Sequence, residues 1–259
     1  MQKKIAVIND LSGYGRCSLT VAIPVLSAMG HQCCPIPTAI LSNHTEFPVY
    51  FFDDYTEKMT TYTDKWKELG LSFDAIATGF LGSEAQIGIV MEIVQKLKAE
   101  KTFVVVDPVM GDHGHAYETY TPEMCEQMKE LVCMADVVLP NVTECCILTD
   151  TPYREENWTR KELLNMAMML RLMGAKSVVI TGVREGSCYT NVVLEQGQYD
   201  AKFIRTRSSG GERPGTGDVF SSVVAGALLK ECIKVSDEEQ IPHANGVCFE
   251  KILGKLIKK

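Results

Sequence analysis

The stretch AIATGFLGSEAQIGIVMEIVQKLKAEKTFVVVD, residues 75–107, carries two strand patterns separated by a helix pattern. Its two ends, Ala75 to Gly79 and Phe103 to Asp107, are compact apolar runs typical of strands buried on both faces. The residues between them, about 84–100, have helical periodicity. A strand, a helix and a strand in this order predict a parallel sheet covered by helices.

The same alternation extends over most of the chain. Further strands are predicted at Lys4 to Ile8, Cys33 to Ala39, Val137 to Leu139 and Ser177 to Thr181, and further helices at about 17–29, 54–69, 122–133, 159–173 and 216–230. The runs Cys188 to Leu194 and Ala201 to Arg205 instead predict an antiparallel hairpin. No linker or internal repeat interrupts the pattern. We therefore expect one three-layer α/β/α domain spanning residues 1–259, with a mostly parallel sheet.

The composition excludes several classes of protein. The 259 residues are 46% hydrophobic and carry a formal net charge of −7, which argues against a nucleic-acid surface. No apolar run is long enough to span a membrane, and the run from Ile5 to Ile8 is too short for a secretory leader. We expect a cytoplasmic protein. The basic tail with Lys251, Lys255, Lys258 and Lys259 is interpreted as a solvated helix end.

The ten cysteines do not form a metal or disulfide framework in the sequence. None of them belongs to a C-x-x-C pair. In a reducing compartment such thiols usually serve as small buried apolar groups. Zinc sites and disulfides are therefore not expected.

Polar residues follow the predicted strands at the edge where open parallel sheets bind ligands. These residues are Asn9-Asp10, Ser42-Asn43-His44-Thr45, Asp107 to Asp112, Pro140 to Glu144, and Thr181-Gly182. Five strand ends thus predict one shared site.

Gly215-Thr216-Gly217-Asp218 directly precedes a predicted helix. The first N–H groups of a helix have no internal partner and attract anions. A carboxylate beside such an anion site would repel a phosphate, but it could orient or deprotonate a hydroxyl that attacks the phosphate. The alternative is a glycine loop whose Asp218 caps the helix. The four residues alone leave both readings open.

Two common nucleotide motifs do not fit. The run Gly13-Tyr14-Gly15-Arg16-Cys17-Ser18 resembles G-x-G-x-x-G, but Ser18 replaces the third glycine and the second strand lacks a terminal acid. Gly210 and Gly215 have P-loop spacing, but the required lysine is absent. A dinucleotide site and a Walker A loop are therefore disfavoured.

Five motifs in order resemble the ribokinase-like superfamily and, within it, the pyridoxal kinases. They are Ser42-Asn43-His44-Thr45, Gly79-Phe80-Leu81-Gly82-Ser83, Asp107-Pro108-Val109-Met110-Gly111, Asn141-x-x-Glu144 and Gly215-Thr216-Gly217-Asp218. The resemblance extends from Asn9 to about Leu229. It implies a kinase that transfers phosphate from ATP to the 5′-hydroxymethyl group of a B6 vitamer.

The resemblance assigns the catalytic base to Asp218. The loop that starts at Gly215 supplies the backbone N–H groups of Thr216, Gly217 and Asp218, which would form the anion hole. We expect the helix N-terminus to keep Asp218 ionised and only weakly basic.

The resemblance also implies Mg²⁺ as cofactor and ATP as co-substrate. Metal binding is assigned to Asp107, Asp112 and Glu144, with Asn141 beside them, and largely through water. The alternatives are a helix N-cap for Asn141 and Glu144 and a turn for the aspartates. ATP contacts are assigned to Asp107, Asn141, Thr143, Glu144, Thr181, Gly182 and Arg213, although Arg213 fits a plain surface position nearly as well. Whether a monovalent cation assists is left open.

The B6 pocket is assigned to Asp10, Ser42, His44, Thr45 and Phe80. Asp10 stands where the family has serine, and a carboxylate could accept a hydrogen bond from a protonated ring nitrogen. Phe80 stands where tyrosine is common and retains a flat apolar surface. His44 could stack on the ring, bond its 3-hydroxyl, or be a structural histidine. Residues 111–120 are predicted to form a lid. A metal site at His113 and His115 is disfavoured, because the sequence offers these two ligands no third one.

Three functions are carried forward. The first is a B6 vitamer kinase, the second is a hydroxymethylpyrimidine kinase, and the third is a B6-binding protein without catalysis. The intact Asp218, Glu144 and Asp107 argue against the third. The resemblance also implies a homodimer, and small molecules are the only other partners expected.

Overall fold

Strands and helices alternate along the chain as the sequence predicts. The computed structural model describes residues 3–45, 47–208 and 213–233, so residues 210–212 and the basic tail from Lys251 lie outside the described residues. The strands are β1 (Lys4–Tyr14), β2 (Gln32–Asn43), β3 (Phe52–Asp54), β4 (Ala75–Thr78), β5 (Phe103–Val106), β6 (Gly111–Asp112), β7 (His115–Ala116), β8 (Val137–Val138), β9 (Ser177–Glu185), β10 (Cys188–Leu194) and β11 (Lys202–Arg207). The helices are α1 (Ser18–Ala28), α2 (Thr56–Glu68), α3 (Glu84–Leu97), α4 (Pro122–Cys133), α5 (Val142–Leu148), α6 (Arg160–Met173) and α7 (Thr216–Ile233).

A nine-stranded sheet forms the centre of the described structure, in the order β11-β10-β9-β8-β5-β4-β1-β2-β3. The six strands from β2 to β9 in this order pair in parallel. Strands β3, β10 and β11 pair antiparallel at the two edges. The order places the topological switch point between β1 and β4, where open α/β sheets bind their ligands.

Helices cover the sheet on both faces and so complete the predicted three layers. Ile5 and Val7 of β1 pack in one buried cluster with residues of α1 and α7. Ala6 and Ile8, which point to the opposite face, pack in a second cluster with residues of the helices α2 to α6. None of the helices in the described ranges is long and apolar enough to cross a membrane.

The predicted hairpin is confirmed, and the sheet extends beyond it. Strands β10 and β11 pair antiparallel, as the sequence predicts for Cys188 to Leu194 and Ala201 to Arg205. Strand β9 continues four residues past the predicted end at Thr181 and also pairs antiparallel with β10. The register between β9 and β10 shifts between Thr190 and Val192, which indicates a bulge in β9 at Thr181 and Gly182, opposite Asn191.

Strands β1 and β2 were predicted too short. Their apolar runs end at Ile8 and Ala39, but the strands continue to Tyr14 and Asn43. The pairing of β1 with β4 stops at Ile8, whereas β1 and β2 continue to pair with each other after a register shift between Asn9 and Leu11. Backbone pairing therefore continues where the apolar pattern has ended. This extension carries Asp10, Ser42 and the adjoining His44 past the end of the neighbouring strand β4.

Candidate active site

The loop before α7 is fixed in position by Gly215. This glycine has a φ of +82°, and an added Cβ would lie only 2.1 Å from the carbonyl oxygen of Arg16. Glycine is the residue that adopts such a φ at little cost and leaves room for a backbone approach this close. Gly215 therefore lets the start of α7 pack directly on the turn between β1 and α1.

Asp218 lies in the first turn of α7, and both of its carboxylate oxygens are hydrogen-bonded. The side-chain amide of Asn9 donates to Oδ1 at 3.1 Å, and the backbone N–H of Ser18 donates to Oδ2 at 2.8 Å. Asn9 also accepts from the N–H of Phe80 at 3.0 Å. A Cβ at Gly79 would lie 2.3 Å from the Asn9 amide nitrogen, so the neighbouring glycine makes room for this side chain. The orientation of Asp218 is thus set by Asn9 in β1, Ser18 at the start of α1 and, through Asn9, Phe80 after β4.

The acidity of Asp218 differs from the expectation of a weakly basic carboxylate at a helix N-terminus. Burial raises the pKa of Asp218 above its ordinary value, and the nearby carboxylate of Asp10 raises it further. The hydrogen bonds from Ser18 and Asn9 act in the opposite direction. Since the net shift is upward, desolvation outweighs the donors that favour the ionised form. The carboxylate is a stronger base than the sequence indicated.

The first two residues of α7 lie at the surface of the described structure. Thr216 and Gly217 are exposed, and a Cβ at Gly217 would meet no atom within 4 Å. Within the described ranges, the N–H groups of Thr216, Gly217 and Asp218 have no protein acceptor. Free N–H groups at a helix start are suited to bind an anion. The geometry agrees with the predicted anion hole.

Two further carboxylates continue from Asp218 across the sheet edge. Burial and the charge of Asp218 raise the pKa of Asp107 to about 7, while a hydrogen bond from Ser221 lowers it. Burial and the charge of Asp107 raise the pKa of Glu144 well above its usual range. Within the described part of the chain, neither Asp107 nor Glu144 forms an ion pair with a lysine or arginine. If both groups ionise, this part of the site holds two buried negative charges without a lysine or arginine partner among the described residues.

Asn141 and Glu144 form a capping box at the start of α5, which is the alternative that the sequence left open. The N–H of Glu144 donates to the Asn141 side chain at 2.9 Å, and the N–H of Asn141 donates to Glu144 at 2.8 Å. The second Glu144 oxygen accepts from the N–H of Met110 at 3.1 Å. The cap and a metal role are compatible, because a carboxylate has about four acceptor positions.

Residues 111–120 begin as a small hairpin made of β6 and β7, held down by α5. Asn141 donates to the carbonyl of Gly111 at 2.8 Å, and the N–H of Gly114 donates to the Thr143 hydroxyl at 2.9 Å. Thr143 is buried under the hairpin, so the predicted contact with ATP would require the hairpin to move. In the described structure this predicted lid is docked.

Asp112 belongs to strand β6 of that hairpin, and Tyr117 directly follows strand β7. Asp112 is exposed and accepts from the N–H of His113 at 2.8 Å. No group of three metal-ligating side chains occurs among the residues that the structure describes, so Asp112 does not complete a direct site. Burial and the charges of Glu144, Asp112, Asp107 and Asp218 raise the pKa of Tyr117, which therefore lies within electrostatic range of all four.

The remaining predicted nucleotide residues surround the same edge. Thr181 bridges to Asn141, and its N–H donates to the carbonyl of Pro140 at 2.8 Å. Gly182 is exposed with a φ of +72°, and its Cβ position is open, so a ligand could approach its backbone closely. Arg213 is exposed, and its carbonyl accepts from the Thr216 hydroxyl at 3.1 Å. Arg213 therefore stays a prediction.

Asp10 is buried at the switch point with its carboxylate already in use. One oxygen accepts a short hydrogen bond from the Ser18 hydroxyl, and the other accepts from the Ser12 hydroxyl at 3.1 Å. Burial raises the pKa of Asp10, while Ser18 and Ser12 lower it. A contact with a ring nitrogen would have to be added to these two bonds. The predicted substrate role of Asp10 is untested by this geometry.

The other predicted substrate residues lie on the extension of β2 and after β4. The Ser42 hydroxyl accepts from the N–H of Phe51 at 2.8 Å, which fixes the returning loop. The His44 ring packs on Phe47 with centroids 4.6 Å apart. Thr45 is exposed in the turn, and Phe80 is half-buried after β4. Ser42 and His44 thus hold the loop that contains Phe47 and Phe51. Their contact with a substrate ring stays a prediction.

No motif in the sequence assigns a role to Asn9, Ser18 or Tyr117. Asn9 was noted only as a strand end, and Ser18 only as the residue that replaces a motif glycine. That replacement was the available signal, because Ser18 has a φ of +52°, a conformation that glycine adopts more easily. Their contacts with Asp218 join residues about 200 positions apart.

Comparisons with known proteins relate this chain to two kinds of small-molecule kinase. Residues 22–236 match the sequence model of the family described as phosphomethylpyrimidine kinase. A solved structure of a putative phosphomethylpyrimidine kinase from Bacteroides thetaiotaomicron, in a crystal form with pyridoxal, is 37% identical and covers 99% of this chain and 96% of its own, with a TM-score of 0.85. The pyridoxal kinase structure from Lactobacillus plantarum is 30% identical and covers 89% and 81%, with a TM-score of 0.81. The pyridoxal kinase of Dictyostelium discoideum is 27% identical over 89% of this chain and 80% of its own.

Proposed function

Because this chain belongs to the phosphomethylpyrimidine kinase family, whose members related to it include pyridoxal kinases, we propose that it phosphorylates a B6 vitamer. The reaction transfers the γ-phosphate of ATP to the 5′-hydroxymethyl group of pyridoxal, pyridoxine or pyridoxamine. The observation that carries the proposal is Asp218, oriented by two donors at the start of a helix whose first N–H groups have no acceptor among the described residues. A base beside an anion hole is what this reaction requires.

In this mechanism Asp218 orients the substrate hydroxyl and accepts its proton as the hydroxyl attacks phosphorus. The upward shift in the pKa of Asp218 brings its basicity nearer to neutral pH, where general bases are most effective. The N–H groups of Thr216, Gly217 and Asp218 stabilise the charge on the transferring phosphoryl group. Positioning and electrostatics therefore account for most of the catalysis.

The excess negative charge at Asp107 and Glu144 fits a divalent cation. Burial and the charge of Asp218 raise the pKa of Asp107, burial and the charge of Asp107 raise the pKa of Glu144, and Asp112 adds to the charge near Glu144. Hard carboxylate oxygens suit Mg²⁺, which keeps several of its waters when it binds. We assign Asp107, Glu144 and Asp112 to hold it largely through water. When bound, Mg²⁺ would neutralise charge on the triphosphate.

The nucleotide is assigned to the ends of β8 and β9, and the vitamer to the switch point. Thr181 and Gly182 present hydroxyl and backbone groups at the edge next to α5. Arg213, just before α7, can reach the phosphates as a charged donor. Asp10, His44 and Phe80 lie at the opposite end of the site, with Ser42 and Thr45 in the same loop. ATP and vitamer thus approach Asp218 from opposite sides.

A hydroxymethylpyrimidine kinase is the second candidate. The description of the matching family names a pyrimidine substrate, and Asp10 departs from the serine of the pyridoxal kinases. Both substrates are flat nitrogen heterocycles with a hydroxymethyl group, so the catalytic residues do not separate them. The contacts to the ring must do so.

A substrate comparison tests both candidates. The purified full chain is given MgATP with pyridoxal, pyridoxine, pyridoxamine or hydroxymethylpyrimidine at equal concentration, and phosphorylated product is measured by chromatography. We expect the highest kcat/KM with a B6 vitamer. A higher kcat/KM with hydroxymethylpyrimidine would favour the second candidate, and no turnover on any of the four would contradict the kinase assignment.

Asp218→Asn separates a kinase from a protein that only binds the vitamer. We expect kcat to fall about 10²–10⁴-fold, the usual contribution of a general base, while vitamer affinity is retained. Asp64→Asn is the matched control, since Asp64 is a surface carboxylate paired with Lys96 on a different helix. It should retain wild-type kcat. A wild-type protein that binds pyridoxal without turnover would support the binding protein.

A further inference from the structure

Asp218 receives its two hydrogen bonds from rigid parts of the fold. Asn9 follows the central part of β1, and Ser18 is the first residue of α1, so the donors come from different elements. The carboxylate is held at both oxygens before any substrate arrives. A base held this way loses little freedom at the moment of reaction, which is how preorganised sites gain rate.

Ser18 holds its donor in place through an unusual backbone conformation. Its φ of +52° lies in the left-handed region, which costs a residue other than glycine roughly 1–2 kcal/mol. Such a conformation persists only where the surroundings enforce it, and it occurs often at active sites. Ser18 is buried, and its hydroxyl is bonded to Asp10. Its hydroxyl bond to Asp10 and its N–H bond to Asp218 are both contacts that hold Ser18 in this conformation.

Asp10 connects the two donors. Its carboxylate accepts from the hydroxyls of Ser18 and Ser12. The backbone N–H of Asp10 donates to the side-chain Oδ1 of Asn9 at 3.0 Å. Asn9 is fixed in turn by the N–H of Phe80. The resulting chain of hydrogen bonds links β1, the start of α1 and the end of β4 to the two oxygens of Asp218.

We propose that Asn9 and Ser18 are positioning residues that orient Asp218 for proton transfer, and that Asp10 acts through Ser18 to hold it in place. This proposal rests on the proposed role of Asp218 as the base. It gives Asp10, which stands where the family has serine, a function that needs no contact with the substrate ring. Loss of these residues should lower kcat and leave the KM for ATP and vitamer largely unchanged.

A pair of serine variants isolates the role of Ser18. Ser18→Ala and Ser12→Ala each remove one hydroxyl that donates to Asp10, but only Ser18 also donates an N–H to Asp218. We expect Ser18→Ala to lower kcat about 10²-fold, as a misplacement of about 1 Å can do, with each KM within about threefold of wild type. Ser12→Ala should lower kcat by less than about fivefold.

Ser18→Gly provides a rescue. Glycine adopts positive φ without the steric cost and keeps the N–H, so this variant should retain more kcat than Ser18→Ala although it also lacks the hydroxyl. A destabilised fold would give the opposite order, because glycine adds flexibility. Equal losses in Ser18→Ala and Ser12→Ala would overturn the proposal.

A readout without turnover separates this proposal from the proposed function. Hydrogen exchange of the residue 18 amide, followed by NMR in the unliganded protein, should be slow in wild type and in Ser12→Ala. It should accelerate at least about tenfold in Ser18→Ala and in Asp218→Ala. If the protein phosphorylates none of the tested substrates, these rates still decide whether the network exists. Unchanged exchange in both Ser18→Ala and Asp218→Ala would refute it.

Asn9→Asp tests the second donor. The aspartate keeps an oxygen for the N–H groups of Asp10 and Phe80 but places a carboxylate where an amide had donated to Asp218. We expect kcat to fall at least about 10²-fold with little change in either KM. A variant that keeps wild-type kcat would show that the Asn9 donor does not orient the base.

Discussion

Replacement of Gly215 by alanine should disable the site through a single methyl group. The added Cβ would lie 2.1 Å from the carbonyl oxygen of Arg16, whereas such atoms are essentially never closer than 3.0 Å. The start of α7 and the turn before α1 must therefore separate by about 0.9 Å. Both atoms that clash belong to backbone or Cβ positions, so no side-chain rotation can relieve the contact.

This displacement acts directly on Asp218, the proposed catalytic base. The N–H of Ser18 lies two residues after Arg16 and donates to Asp218 at 2.8 Å, and a shift of that size would stretch the bond to about 3.7 Å. A separation beyond 3.5 Å is no longer a hydrogen bond. Misplacement of about 1 Å can cost about 10²-fold in rate, so we expect kcat to fall about 10²-fold.

The positive φ of Gly215 adds a separate cost to stability. Alanine at a φ of +82° costs roughly 1–2 kcal/mol, which lowers the Tm of a chain of this size by a few degrees. Gly70→Ala is the matched control, because Gly70 has a φ of +65° but no atom within 4 Å of its Cβ position. It should lower Tm by a similar amount and leave kcat unchanged.

The assay is steady-state phosphorylation of the preferred vitamer with saturating MgATP, together with calorimetry of each variant. If the clash moves Asp218, Gly215→Ala should lose kcat and Gly70→Ala should not. Gly215→Ala with kcat within about threefold of wild type would refute it, since the clash would then have been absorbed without moving Asp218.

Three further predictions concern the surroundings of the base. Asn141→Ala removes the cap of α5 and the bond to Gly111, so the free energy of unfolding in urea should fall by about 0.5–2 kcal/mol, with faster exchange of the Gly111 to Ala116 hairpin. The pKa of Asp107 is raised to about 7 in the folded state, so its contribution to stability is present at low pH and is lost as pH rises through about 7. Calorimetry should show the Tm of the metal-free protein falling from about pH 5 to pH 8, and Asp107→Asn should flatten that fall. Gly79→Ala would place a Cβ 2.3 Å from the Asn9 amide nitrogen, and kcat should fall about 10²-fold in the vitamer assay with ATP KM retained.

The sequence predicted the fold because its signals are local and periodic. The strands from Ala75 and Phe103 are mostly apolar runs with no charged residue inside, and the helix between them begins near the predicted residue 84. The extension of β1 to Tyr14 was missed because it contains Asn9, Asp10 and Ser12 and is held by pairing with β2. Pairing between strands distant in sequence leaves no periodic trace in either strand.

The candidate site was predicted in part for the same reason. Asp107, Asn141 and Asp218 each follow or begin a regular element, and parallel strands bring such residues to one edge. The raised pKa of Asp218 was missed because burial at the site depends on the packing of α1 against α7, which no motif reports. The role of Ser18 was missed because a serine in the left-handed region has no sequence signature beyond the glycine that it replaces.

The four carboxylates of the site explain why its donors matter. Burial raises the pKa of Asp10, Asp107, Glu144 and Asp218, and no lysine or arginine within the described ranges pairs with any of them. Asp10 and Asp218 instead share neutral donors from Asn9, Ser18 and Ser12, which support ionisation without adding charge. Asp107 has one such donor, Ser221. We infer that a divalent cation arriving with the triphosphate would supply the positive charge that these carboxylates lack among the described residues.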